Sequence, residues 1–250
     1  MKISDILYIT ILMQRKVKRM NNYNKWLEKE QEWIEQMARE NKASAIKMGI
    51  LCIPACAILL GLIGLISGGG ISGTLQNMLW GAIFGVVAAL FIPLLMPRPR
   101  KVYAKTLGKF TGSLTSEEQE ALGSQMLSSD VRRMDFKSAD KIKQKIMITK
   151  SFITSNTGKG FFVLIKLDDV EQIFTDVVDF SVTARSHGVT VHSYDEAYSI
   201  EFRYKKPTGV VSKDSDVSII FPTRELRTQA MQYIQDFVSQ RPEPPTILGA

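Results

Sequence analysis

The side chains of this 250-residue chain that most readily do chemistry are few and scattered. Its only histidines, His187 and His192, have no cysteine or carboxylate at ligand spacing, which makes a poor zinc site. No G-x-S-x-G elbow accompanies them, and the adjacency of Ser186 and His187 says nothing about a triad. Cys52 and Cys56 share a helix face one turn apart. With no other cysteine and no histidine nearby, they read as small apolar residues rather than a metal or redox pair. Gly158-Lys159-Gly160 invites a phosphate-loop reading, but Gly160 and Phe161 follow the lysine where that loop needs Lys then Ser or Thr. Asp168, Asp169 and Glu171, and again Asp214 and Asp216, lack calcium-loop spacing and read as turn residues. The reading is therefore of a non-enzyme with no cofactor and no metal. One weaker pattern remains: Lys150, Lys159 and Lys166 form a candidate basic rim for anionic lipid, against the alternative of lysines protecting a strand edge.

What must position such groups is a membrane anchor. Ile46 to Ile66 and Leu75 to Leu95 are apolar on every side, with Lys47 the only charge, at the entry to the first. At ~1.5 Å per residue each is long enough to cross a hydrocarbon core of ~30 Å. A buried soluble pair would need the rest of the chain to cover it, and the remaining sequence is short of material. Basic residues crowd the flanks, among them Arg39, Lys42 and Lys47 before, and Arg98, Arg100 and Lys101 after, while the link Ser67 to Met78 has no charge. The positive-inside rule then places both termini in the cytoplasm, in a multi-pass protein of the cell membrane with two spans. Gly64 with Gly68, and Gly81 with Gly85, are small-xxx-small pairs that predict close helix packing. No acidic, basic or histidine side chain lies deep in either span, so a transport path has no evident carrier.

Residues 1–45 form a cytoplasmic helical arm. ISDILYITILM at 3–13 is too short to span, and the basic run that follows, Arg15, Lys16, Lys18 and Arg19, is placed to meet lipid phosphates if this arm lies on the membrane. Packing of the arm on the protein itself is the equal alternative. Trp26, Trp33, Ile34 and Met37 give the next stretch an intermittent apolar stripe, leading into the first span as a long helix broken near Asn41 or Gly49. The formal net charge of +7 is explained by these membrane flanks, so a nucleic-acid partner is not expected.

After the hairpin (46–96) a helical connector is expected over 97–141. In it, residues 107–114 read as loop, Thr115 with Glu118 makes a capping box, and Val131, Met134 and Phe136 sit on a second short element. From 142 the period becomes that of strands. Residues 146–154 read as a strand pair or bent strand, NTGKG as a turn, and Phe161 to Leu167 as a central strand too apolar for either face to meet water. Further strands are expected at 170–174, 179–185, 189–193, 197–204 and 217–221. Thr223 then caps a helix through about Ser239, ended by Pro242, Pro244 and Pro245, and 241–250 is a tail.

An antiparallel set of strands followed by one helix predicts a small barrel or strongly curved sheet closed by that helix, making the whole an α+β membrane protein. The phrase MITKSFITSNTGKGFFVLIKLDDVEQIFT, with Ala230 to Ile234, resembles uncharacterised Gram-positive bacterial membrane proteins that pair a transmembrane helical hairpin with a pleckstrin-homology-like cytoplasmic domain, here over 142–240. The likeness implies binding or scaffolding and brings no catalytic residues. The function expected is a membrane-anchored interaction or scaffold module at the inner membrane face. The alternatives are an accessory subunit of a transporter or secretion complex, or an anionic-lipid-binding domain. Its partners would be the bilayer and a protein, either foreign or a second copy, rather than a small-molecule substrate.

Overall fold

The computed structural model describes residues 21–68, 70–95, 98–138, 141–186, 189–205 and 217–248, with side chains undescribed at 93–95, 178–186 and 189–195. The chain divides into two compact bodies, Met1–Gln31 with Tyr103–Ala250, and Glu32–Val102. The arm at 3–19, with Arg15, Lys16, Lys18 and Arg19, lies outside the described residues.

Helix α1, Asn22–Ile66, is unbroken through Asn41, Gly49 and Pro54. A helical glycine costs about 1 kcal/mol relative to alanine, yet here it serves packing. A Cβ on Gly49 would stand 3.0 Å from the Cα of Ala89 on the facing helix, so the expected break is instead a contact point. Asn21 accepts from the Asn24 amide at 3.0 Å as an N-cap does. The Asn22 amide donates to Glu120 Oε1 at 3.2 Å. Helix α2, Gly70–Leu95, begins five residues earlier than the apolar run suggested. The link is correspondingly short, and Gly68 and Gly70 turn it at φ +76° and +62°, backbone conformations that glycine adopts without a Cβ clash.

Of the connector, 107–111 is helix and only 112–114 is loop: helix α3 runs Pro99–Thr111, with proline at its first position, where no amide partner is lost. Helix α4, Ser116–Met126, starts on the expected capping box. The Glu118 amide donates to Thr115 Oγ1 at 3.2 Å, and the Thr115 amide to Glu118 Oε2 at 2.8 Å. Thr115→Ala removes the cap acceptor and should lower stability by about 1 kcal/mol in thermal denaturation of the purified chain.

Among the described residues eight strands follow, in two four-stranded sheets. The first is the meander β1 (Arg132–Lys137), β2 (Lys143–Ile148), β3 (Phe152–Thr157) and β4 (Phe162–Lys166), in that spatial order. The second has the order β7-β6-β5-β8, built from β5 (Val170–Ser186), β6 (Val189–Tyr204), β7 (Val217–Phe221) and β8 (Thr246–Leu248). Helix α5, Arg224–Val238, packs Ala230, Met231, Ile234 and Val238 into a core with Ile146 and Ile165 of the first sheet and Ile200 and Phe202 of the second.

The expected pleckstrin-like barrel does not form, because neither sheet is closed or curled. A single 3-10 turn, Leu167–Asp169, separates β4 from β5 and ends the first ladder. β4 is an edge strand, not a central one. Its edge is met by helix α3, where the Phe162 amide donates to Thr106 Oγ1 at 3.1 Å, and that hydroxyl donates to the Gly160 carbonyl at 3.3 Å. Its apolar outer face is covered by aromatic rings, with Trp26, Tyr103 and Phe110 centred 6.1, 5.7 and 6.4 Å from Phe162. Phe161 is exposed, but the outer face of the run is thus buried by helices, which hydrophobicity alone does not distinguish from burial between strands. The element at 131–136 is strand β1, since Met134 and Phe136 alternate with Arg133 and Asp135 and turn to the core. The strands expected at 170–174 and 179–185 are one, as are those at 189–193 and 197–204. Together they make a single hairpin, paired without a shift from Gln172↔Arg203 to Ser186↔Val189. Beyond Val177↔Tyr198 neither of its strands has another strand beside it among the described residues. At ~3.3 Å per residue this ribbon runs roughly 30 Å past its sheet.

Candidate functional site

Strand β2 buries a charge. Its Ile146 and Ile148 face the core, so period-2 alternation sends Lys145 to the opposite face, where the first turns of α1 lie. There Lys145 Nζ meets Glu30 Oε1 at 2.7 Å, with side chains only 6% and 4% exposed. Asn156 on β3, the register partner of Lys145, donates from Nδ2 to Glu30 Oε2 at 3.1 Å. Both Glu30 oxygens are thus engaged, as a buried carboxylate requires. Desolvation pulls the Lys145 ammonium below its ordinary range, and Glu30 opposes that pull. Burial, with Glu30 adding to it, drives the Tyr103 phenol well above its usual range, so it stays neutral. Trp26 Nε1, the Tyr103 hydroxyl and Asn156 Oδ1 are buried without a hydrogen-bond partner among the described residues. On the other face of the same strand pair, Gln144 donates to Ser155 Oγ at 3.0 Å.

This cluster binds helix to sheet, and sequence reasoning missed it. The signal was present: Glu30 stands between Trp26 and Ile34 at four-residue spacing, in the middle of the apolar stripe that ends at Met37, and all four are buried. A charge within a buried stripe must find a partner, and Lys145 is the one that the strand period turns inward.

The three lysines of the expected rim are not brought together. Phe152↔Lys166 pairing sets Lys166 at the end of β3 next to the turn that carries Lys150, whereas Lys159 lies in the turn at the other end. Lys166 is held by Glu118 at 2.6 Å and Asp169 at 3.6 Å. That pairing raises its affinity for the proton and lowers that of Glu118. Lys150 and Lys159 are exposed. His187 lies outside the described residues. His192 is opposite Thr183 in the hairpin register. Among the described residues no three His, Cys, Asp or Glu side chains are placed to hold a metal ion.

The packing glycines have found a partner within the chain. A Cβ on Gly85 would stand 2.6 Å from the Cα of Ile53, one on Gly64 3.0 Å from the Cα of Thr74, and one on Gly81 against Cys56 and Ala57 backbone. Gly68 differs, with open space around it and a turn conformation. The two helices are otherwise outwardly apolar: Leu51, Leu59, Leu79, Phe84 and Leu90 are among many large side chains more than half exposed. Both helices are long and apolar enough to cross a membrane. Compared with known proteins, the chain matches no family model, no curated protein and no solved structure.

Proposed function

We propose that this chain is a membrane-anchored interaction module, held by the α1–α2 hairpin with both termini on the cytoplasmic side and presenting its β-sheet body to a protein partner. The observation that carries the reading is the ribbon at the far part of β5 and β6. An isolated two-stranded hairpin is marginal in water, and this one extends well past the strands that flank it. A protein surface laid against it would supply the missing support. The anchor rests on the band of exposed aliphatic and aromatic side chains from Ile46 to Phe91, an area far beyond what a soluble surface tolerates. Lys42 and Lys47 before it, and Arg98, Arg100 and Lys101 after it, favour the cytoplasmic side for both ends.

Neither alternative draws a specific observation. The seam glycines are occupied inside the hairpin, so they do not argue for an accessory subunit packed on a larger membrane partner. The lysines proposed for lipid are split between two ends of a sheet, and Lys166 is already paired.

Two measurements on the full chain in its native membrane test the reading. A photo-cross-linker at Thr183 should give a discrete larger product, and one at exposed Lys109 should not. A Ser67→Cys variant lacking Cys52 and Cys56 should react with an impermeant maleimide only from outside the cell. A Thr183 probe that yields only the unmodified chain removes the interaction reading, and labelling of the Ser67→Cys variant only after cell lysis reverses the topology.

A further inference from the structure

The C-terminal strand sits differently from every other described strand in this fold. It has three residues, and it pairs with the edge of β5 in parallel, Gln172↔Thr246, Ile173↔Ile247 and Phe174↔Leu248. Only Ile247 reaches the core, and it does so partly, while Thr246 is exposed and Leu248 is 47% exposed. The chain leading to it is fixed up to Arg241. The guanidinium of that residue contacts Asp168 at 3.0 Å and donates to the Lys150 carbonyl at 2.9 Å. After Arg241 come Pro242 and Pro244, both exposed and, like the buried Pro245 that leads into the strand, without an amide hydrogen to tie them down. Segment 242–248 is therefore a short strap joined to a firm post.

Beneath the strap lies Ile173, fully buried, on a strand whose backbone would be unpaired on that side if the strap left. A bare edge on a core strand is adhesive, because its amides and carbonyls accept another strand and its apolar contact must be restored. The strap gives a direct picture of what fits: extended backbone running parallel to β5, an aliphatic side chain at the middle of three ladder positions, and flanking positions open to solvent.

We propose that the Gln172–Phe174 edge is a strand-addition site, closed in the resting chain by its own tail, and that it takes an extended segment of a protein partner with an aliphatic residue at the central position. Strand addition of this kind draws affinity from the main chain and selectivity from the alternate side chain. The site is separate from the ribbon, so it stands or falls independently of the function proposed above.

The test uses the full membrane chain in detergent and a variant ending at Arg241, probed with a fluorescein-labelled peptide of residues 243–250. The tail occupies the site in the intact chain, and an occupied fraction reduces apparent affinity in proportion. Saturable binding at least about tenfold tighter to the shortened chain is expected, and it should be lost with the peptide carrying Ile247→Asp. Absence of saturable binding to a shortened chain that still unfolds cooperatively overturns the proposal, as does equal binding to both chains. Should the shortened chain lose its cooperative transition, hydrogen exchange of the intact chain decides. Amides of 246–248 exchanging orders of magnitude faster than those of the β5–β6 ladder support a strap that opens by itself. Amides as slow as that ladder overturn it.

Discussion

Replacing Glu30 with glutamine will destabilise the folded chain by about 3–5 kcal/mol at neutral pH, since the change takes from the buried Lys145 ammonium the carboxylate that it contacts at 2.7 Å. The pair is 2.7 Å apart and almost wholly sealed from solvent. Replacing both charges has a different consequence. In Glu30→Leu with Lys145→Met, the desolvation cost of two ions disappears along with their attraction, and the net change should be near zero or stabilising. Asn156 qualifies this, because its Nδ2 donates to Glu30 and a buried amide left without an acceptor costs about 1–3 kcal/mol. The triple variant with Asn156→Leu should therefore be more stable than the double. Chemical denaturation of the four proteins in one detergent measures the set. A Glu30→Gln variant as stable as the parent would show that water reaches the pair.

The pH dependence follows from the same burial. Desolvation sets the folded-state value of Lys145 below its ordinary 10.5, with Glu30 opposing. Between the folded value and 10.5 the unfolded chain binds the extra proton, so the contribution of this group to stability rises with pH across that window. Removing Glu30 deletes an influence that raises the value, so the window widens towards lower pH. The penalty of Glu30→Gln should shrink as the pH is taken from 7 to about 9.5. A penalty constant over that range would place the cost in something other than the lysine charge.

Much of the architecture was legible because it depends on local chemistry. The Thr115–Glu118 box and the Thr223 cap both form, and each required only residues three apart. The failures share one cause, which is that burial has no label saying what does the burying. FFVLIKL is as apolar as a central strand because Trp26, Tyr103 and Phe110 cover it from helices distant in sequence. Gly49 looked like a helix breaker because its value lies in the approach of Ala89, forty residues away. The closed barrel was expected from the number of strands and a final helix, neither of which says whether Thr106 or another strand will occupy the edge of β4. Strand β8 was read as part of a tail, since three residues after a proline cluster carry no periodicity. Glu30 was the one missed residue with a usable signal, as a charge inside the apolar stripe of a helix.

The largest effect in the helical-hairpin body should come from Gly81. Helix α2 crosses α1 along a seam that runs through Ala89 against Gly49, Gly85 against Ile53, and Gly81 against Cys56 and Ala57. These spacings of four keep one face of each helix at the contact. At Gly81 an added Cβ would meet the Cys56 carbonyl oxygen and, at 2.7 Å, the Ala57 Cα. Both are backbone atoms of a continuous helix and cannot rotate away as a side chain can, so the helices must separate. In lipid, where the proposed anchor would lie, no hydrophobic drive brings them back, and close van der Waals contact is what holds such a pair. Gly81→Leu should therefore open the seam, at a cost on the order of 1–3 kcal/mol or more. Gly73→Leu, with open space at its Cβ, should be neutral. Cys52 and Cys56 report on the difference, being half-buried along the same seam. Their reaction with a membrane-permeant maleimide should accelerate in Gly81→Leu and stay at the parent rate in Gly73→Leu. Unchanged labelling in Gly81→Leu would mean that the helices are held apart from each other in the membrane, and that the glycines face lipid or another chain.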